Sequence, residues 1–201
     1  MKYLLALLLL LTGCTQTVAP SVGPTSQSPS ASSSETATPS ATPICSPMGG
    51  TPVPCSAEEY QKVEEQNRLT EEAIALYRRW TKESTRLYRA GGTNKATPEM
   101  LATTAGEFRG SVLGIFQDLK AARTRAVSGE VKIVKIGPDV QVEETQGNVA
   151  ITACLDARSL RFERDGKSIG SGVMAEEDVV AKLDSGQLRL WSVSSGEVKA
   201  C

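Results

Sequence analysis

The sequence predicts an α+β domain, with helices in its first half and antiparallel strands in its second. Apolar residues recur at helical spacing up to about residue 119 and at alternating spacing after Gly129. The strand-like half is divided by short Gly-containing turns, the punctuation of antiparallel hairpins. Helices followed by such strands imply helices packed on one face of a curved antiparallel sheet.

The first helix begins at Ser56-Ala57-Glu58-Glu59, a capping box, and runs to about Tyr88, where Gly91-Gly92 stops it. Tyr60, Val63, Ile74, Tyr77, Trp80 and Leu87 form its apolar stripe. Acids (Glu58, Glu59, Glu64, Glu65, Glu71, Glu72) precede bases (Arg78, Arg79, Lys82, Arg86, Arg89), the order the helix dipole favours. That order accounts for the basic run without an anion site. Thr97-Pro98 then caps a further helical stretch. Its buried face carries Phe108, Val112, Ile115, Phe116 and Leu119.

After Gly129, Val131 to Ile136 reads as a strand ending in a Gly137-Pro138-Asp139 turn. Val140 and Val142 alternate with polar residues up to a turn at Gln146-Gly147-Asn148. Val149 to Leu155 reads as a buried strand, and Leu160 to Arg164 leads into a hairpin turn at Asp165-Gly166. Val179 to Leu183, the turn Asp184-Ser185-Gly186, and Leu188 to Val193 form a last hairpin.

The N-terminus carries an address. Met1-Lys2 places one positive charge before the apolar run Tyr3 to Leu11, and small residues follow in Leu11-Thr12-Gly13-Cys14. These are the parts of a secretory signal. The run is far below the ~20 residues that a spanning helix needs. The closing tetrapeptide resembles the bacterial lipobox. The resemblance implies removal of residues 1–13, a thioether-linked diacylglycerol on Cys14, and an anchor on the extracytoplasmic face of the cell membrane. Single acyl chains anchor marginally at ~0.8 kcal/mol per CH₂, whereas two or three hold essentially permanently. The compact signal is also similar to those of small phage-encoded lipoproteins.

Residues 14–44 read as a lipidated spacer. From Thr15 to Pro43, 23 of 29 residues are Ser, Thr, Pro or Ala, a composition that cannot build a core. Such a segment suits O-glycosylation as well as plain spacing. The folded domain is expected over 45–201.

If Cys14 carries lipid, four cysteines remain for an oxidising compartment and allow three pairings. Cys45–Cys55 and Cys154–Cys201 are favoured. The first brackets the turn-rich loop Ser46 to Pro54, and the second ties the last residue to a central strand. Loop entropy assigns them about 3 and about 4 kcal/mol. A four-cysteine zinc site competes, but close C-x₂₋₄-C pairs are missing.

Composition narrows the function. The chain has no histidine, so the commonest general base and metal ligand are both absent. Lys and Arg number 22 against 23 Asp and Glu, without the basic excess of a nucleic-acid binder. Gly166-Lys167-Ser168 lacks the upstream glycine of a phosphate loop, since Arg161 stands there. Asp156, just past a buried strand, is the one weak catalytic candidate, and a strand-end turn competes with it. Trp80, Trp191, Tyr60 and Tyr77 are expected in the core. No cofactor and no metal are expected.

Ala153-Cys154-Leu155-Asp156, with Leu188 to Val193 and the terminal Cys201, resembles actinobacterial envelope lipoproteins built on the NTF2-like cone fold. The resemblance covers roughly 56–201 and departs from the family in lacking an early hairpin between helices. It implies a pocket between sheet and helices, and fold alone implies no activity. The expected role is a membrane-anchored, non-catalytic binding module whose partner is an envelope protein or a small apolar ligand. Competing readings are a phage-derived lipoprotein of superinfection exclusion, an NTF2-like isomerase or hydro-lyase, and a structural envelope component.

Cys14→Ala should leave the precursor uncut and abolish metabolic labelling with palmitate. Labelling that persists in this variant overturns the lipid anchor.

Overall fold

The computed structural model describes residues 42–139 and 148–201, which belong to one unit, Ser40–Cys201. The expected signal, Cys14, nearly all of the expected spacer, and the segment with Val140, Val142 and the turn expected at Gln146-Gly147 lie outside the described residues.

Two short strands, β1 (Ile44–Cys45) and β2 (Val53–Pro54), pair antiparallel. The Cys45–Cys55 disulfide closes them, with Cα atoms 5.7 Å apart. This ribbon is held to the first helix by Asn67, whose Oδ1 accepts from the Met48 amide at 2.8 Å. The Asn67 amide donates to the Ser46 carbonyl at 2.9 Å.

Helix α1 (Ala57–Ala90) has the expected capping box. The Glu59 amide donates to Ser56 Oγ at 3.2 Å, and the Ser56 amide to Glu59 Oε2 at 2.7 Å. Gly91 ends the helix at φ 73°, a left-handed conformation that glycine adopts without a Cβ penalty. Burial is confined to the C-terminal two thirds, including Leu69, Ala73, Leu76, Tyr77, Trp80 and Leu87. Tyr60, expected in the core, is instead 39% exposed. It lies on the first turn, beside the solvated ion pair Glu58–Lys62 and the capping box and before the buried part of the helix begins at Leu69.

The stretch after Thr97 divides in two: α2 (Pro98–Thr103) and α3 (Gly106–Ala121). Thr104 and Ala105 between them are extended and dock on the last strand, where the Ala105 amide donates to the Leu190 carbonyl at 2.8 Å. Gly106 enters α3 at φ 51°, and a Cβ there would overlap the Trp191 ring. On α3, Phe108, Val112 and Phe116 are buried as expected. Ile115 is 51% exposed, which the helical stripe alone did not anticipate.

Seven strands follow: β3 (Thr124–Ser128), β4 (Lys132–Pro138), β5 (Asn148–Asp156), β6 (Arg161–Arg164), β7 (Lys167–Ser171), β8 (Met174–Asp184) and β9 (Gln187–Glu197). All pair antiparallel, in a four-stranded sheet β4-β5-β8-β9 and a three-stranded sheet β3-β6-β7. The protein is thus α+β, with a long helix packed on antiparallel sheets. Gly137 and Pro138, read as a turn, continue β4 and pair with Thr152 and Ile151. Proline is tolerated because β4 is an edge strand, where a missing amide leaves no neighbour unpaired. The β6–β7 and β8–β9 hairpins turn at Asp165-Gly166 and Ser185-Gly186. All four of these residues have φ between 49° and 79°, the geometry that matches strand twist. β5 is buried from Val149 to Ile151 and at Ala153 and Cys154. Cys154 is bonded to Cys201, with Cα atoms 6.0 Å apart.

The core joins α1 (Leu76, Tyr77, Trp80) and α3 (Phe108, Phe116) to the four-stranded sheet (Ile151, Val179, Leu190). Each such side chain contributes roughly 1.5–3 kcal/mol when fully buried. Glu83 adds a polar tie from α1 to α2. It accepts from Thr97 Oγ1 at 2.6 Å and from Arg86 at 2.7 Å, while the Thr97 hydroxyl caps α2.

Two glycines should respond in opposite directions to alanine. Gly92, at φ 83°, lies against the Phe116 carbonyl, which a Cβ would overlap. Gly92→Ala should destabilise by about 3 kcal/mol in urea unfolding. Gly110, exposed inside α3 with open space around it, should gain about 0.5–1 kcal/mol as alanine.

Candidate functional site

The chain has two tryptophans, four tyrosines and three phenylalanines. Six of these nine line one cavity: Tyr77, Trp80 and Tyr88 from α1, Phe108 and Phe116 from α3, and Phe162 from β6. Its volume is about 350 Å³. The four-stranded sheet supplies the opposite wall through Leu155, Ala175, Glu177 and Val193. A neighbouring recess of about 440 Å³ shares Tyr88, Ile115 and Phe162 with it, and the half-exposed Ile115 and Ile169 give that recess an apolar rim.

Three of the four ring pairs meet edge to face, and the fourth, Tyr88 with Phe116, is tilted. Trp80 and Phe108 have centroids 5.6 Å apart at 88°, Trp80 and Phe116 6.2 Å apart at 68°. Tyr88 meets Phe116 at 5.1 Å and 59°, and Phe162 at 5.7 Å and 80°. Such pairs add about 0.5–1.5 kcal/mol each beyond burial.

Glu177 is the charged residue of the lining. It lies on β8 in phase with the buried Val179 and Ala181, so strand alternation turns it inward. Its flanking acids, Glu176 and Asp178, are exposed. The Tyr77 hydroxyl donates to Glu177 Oε2 at 2.6 Å. Burial pushes the Glu177 carboxyl above the usual carboxylate range, and the Tyr77 hydrogen bond only partly offsets this. Burial also raises Tyr77, with the charge of Glu177 adding to it, and Tyr88 moves the same way for the same two reasons.

Across from Glu177 on β9 stands Ser195, also in the lining. β9 reaches this register through a bulge. Val180 pairs with Ser192 and Ala181 with Leu190, so Trp191 is the extra residue. The inward set changes there from Leu188 and Leu190 to Val193 and Ser195. Trp191 itself is half-buried under Gly106, carries Lys182 at 5.4 Å from its ring centroid, and is not part of the cavity.

The sequence-derived candidate Asp156 lies elsewhere. It ends β5 and accepts from the Arg158 backbone amide at 3.0 Å and from its guanidinium at 2.9 and 2.8 Å. Those hydrogen bonds hold its carboxyl down to about 2. Leu155 and Ala157 line the cavity, and Asp156 between them does not. Lys167 and Ser168 lie on β7 just after the Asp165-Gly166 turn, with no helix following. Among the described residues, no grouping of three or more His, Cys, Asp or Glu side chains is placed to hold a metal, and no helix is long and apolar enough to cross a membrane.

Sequence reading missed Glu177 because Glu176-Glu177-Asp178 looks like a solvated acidic run. Counting back two residues from Val179 would have found it.

A carboxyl raised by burial favours the fold below the ordinary carboxylate range and loses that contribution as pH climbs through its folded value. Glu177→Gln keeps an acceptor for Tyr77 and removes the charge. It should raise the thermal midpoint at neutral pH by about 3 °C, the shift that a change on the order of 1 kcal/mol gives in a domain of this size. The gain should vanish near pH 4. An equal gain at both pH values would assign it to packing. The chain matches no protein-family model, and no curated protein matches it.

Proposed function

We propose that this chain is an exported lipoprotein, held to the cell membrane by lipid on Cys14, whose domain is a non-catalytic binding module. The gathering of six of nine aromatic residues around one cavity carries this reading. Cavities of a few hundred Å³ with apolar walls and few polar groups are the usual form of small-molecule sites. The long helix over a late antiparallel sheet, with a pocket between them, fits the NTF2-like cone and is the support for that finer assignment. Residues 14–44 serve as a spacer and present the domain away from the lipid surface.

One observation favours a second reading. Glu177, raised by burial and paired with a tyrosine, is the kind of group that moves protons in isomerases and hydro-lyases. Against it, the Tyr77 hydroxyl spends its proton on Glu177 itself. It is therefore not positioned to polarise a substrate carbonyl.

Native mass spectrometry of the full chain purified from its own envelope tests the binding role. A co-purified small molecule should be present and should disappear in Ser111→Trp, which places bulk at an exposed α3 position lining the cavity. The same mass retained in Ser111→Trp overturns the cavity as the site. Turnover of an enone or hydroxy-ketone panel that is lost in Glu177→Gln promotes the enzyme.

A further inference from the structure

The cavity combines one carboxylate with an excess of aromatic surface, and together these select the charge of what enters. The described partner of Glu177 is the Tyr77 hydroxyl, and no described lysine or arginine forms an ion pair with it. Of the basic side chains of α1 around Tyr77 and Trp80, Arg79 pairs with Glu99 and Arg86 with Glu83, while Arg78 and Lys82 line a separate recess with Thr85 and Glu130 and are not part of this cavity. A carboxylate in apolar surroundings without a cation is unfavourable, and a cationic occupant removes that cost. The aromatic walls act in the same direction. Ring faces carry negative potential and attract ammonium groups, more strongly when water is excluded. Rings inclined at 59–88° to one another enclose the space on several sides instead of stacking flat.

We propose that the cavity takes an organic ammonium, a protonated primary or secondary amine on an apolar body. Its N–H groups donate to the Glu177 oxygen that Tyr77 does not occupy. Its carbon body lies among Trp80, Tyr88, Phe108 and Phe162. Anions are rejected by the same carboxylate, and neutral alcohols leave its charge uncompensated. This assignment rests on the cavity being the binding site and adds the ligand class.

The test is equilibrium dialysis at neutral pH of the full chain in zwitterionic lipid nanodiscs, with empty nanodiscs as the blank. The probes are phenethylamine, phenethyl alcohol and phenylpropanoate. The amine should be retained at least about ten-fold more tightly than the alcohol, as expected when a buried charge gains its partner. The acid should not be retained. Glu177→Gln should bring the amine down to the level of the alcohol, with a cooperative melt showing that the variant is folded. Ser111→Trp should remove retention of both. Alcohol bound as tightly as amine in the wild type, or an amine preference that survives Glu177→Gln, overturns the ammonium assignment. If Ser111→Trp still abolishes retention in those cases, the cavity remains the binding site. Retention of none of the probes overturns the ligand class, and the mass-spectrometric test then decides the binding role by itself.

Discussion

The edge-to-face contact of Trp80 with Phe108 and Phe116 is the packing on which this domain depends. It joins the middle of α1 to both ends of the buried face of α3, and both helices close over the sheet around it. Flat rings meeting near perpendicular hold two helices firmly, yet they cannot fill the wedge between helix pair and sheet as branched aliphatics do. The cavity is the space that this choice leaves. Aliphatic residues complete the core where the helices meet the sheet directly, at Leu76, Ile151, Val179 and Leu190.

The four-stranded sheet carries two irregularities, and the first of them bears on that space. The bulge at Trp191 re-phases β9, so that its C-terminal half turns Val193 and Ser195 toward the cavity. A second register shift, between Ile133 and Lys135, leaves Val134 exposed on the edge strand. The Cys154–Cys201 bond then fixes the chain end to β5. Cys154 lies between Ala153 and Leu155, and of these three only Leu155 lines the cavity. Closing a loop of 47 residues contributes about 4 kcal/mol through the unfolded state.

Local signals carried most of the fold. The Ser56 capping box, the Gly91-Gly92 stop, Thr97-Pro98 and the Asp165-Gly166 turn each act within a few residues, so a one-dimensional reading recovers them. What it missed depended on neighbours distant in sequence. Pro138 reads as a breaker until β4 is known to be an edge strand. β3, Thr-Arg-Ala-Val-Ser, has one fully buried apolar residue, Ala126, and is a strand because β6 pairs with it. Tyr60 and Ile115 match helical stripes but remain 39% and 51% exposed, Ile115 at the rim of the recess that Phe162 and Ile169 share. Glu177 was hidden by its acidic neighbours, although period-two counting from Val179 places it inside. Asp156 stood out in sequence, and the structure places it in a strand-end turn, bonded to the Arg158 amide and guanidinium and outside the cavity lining.

Where the protein departs from good packing is itself informative. Among buried side chains of the described residues, Arg109 Nε is the polar atom left without a hydrogen-bond partner. The guanidinium still donates to the Thr104 carbonyl through its Nη2. Buried polar groups elsewhere are satisfied, as Thr81, Ser84, Thr104 and Glu83 are by nearby carbonyls or by Arg86 and Thr97. Against that background, an acid raised by burial, unfilled volume and concentrated aromatic surface all occur in one place. Sequences that agree with their fold at every other level tend to break the rules where function requires it. A leucine or methionine at 177 would extend the inward series of Val179 and Ala181 and give a drier, better-packed wall. The glutamate forgoes that stability and sets a carboxyl among aromatic rings, and this mismatch with good packing is the observation behind the proposed ammonium ligand.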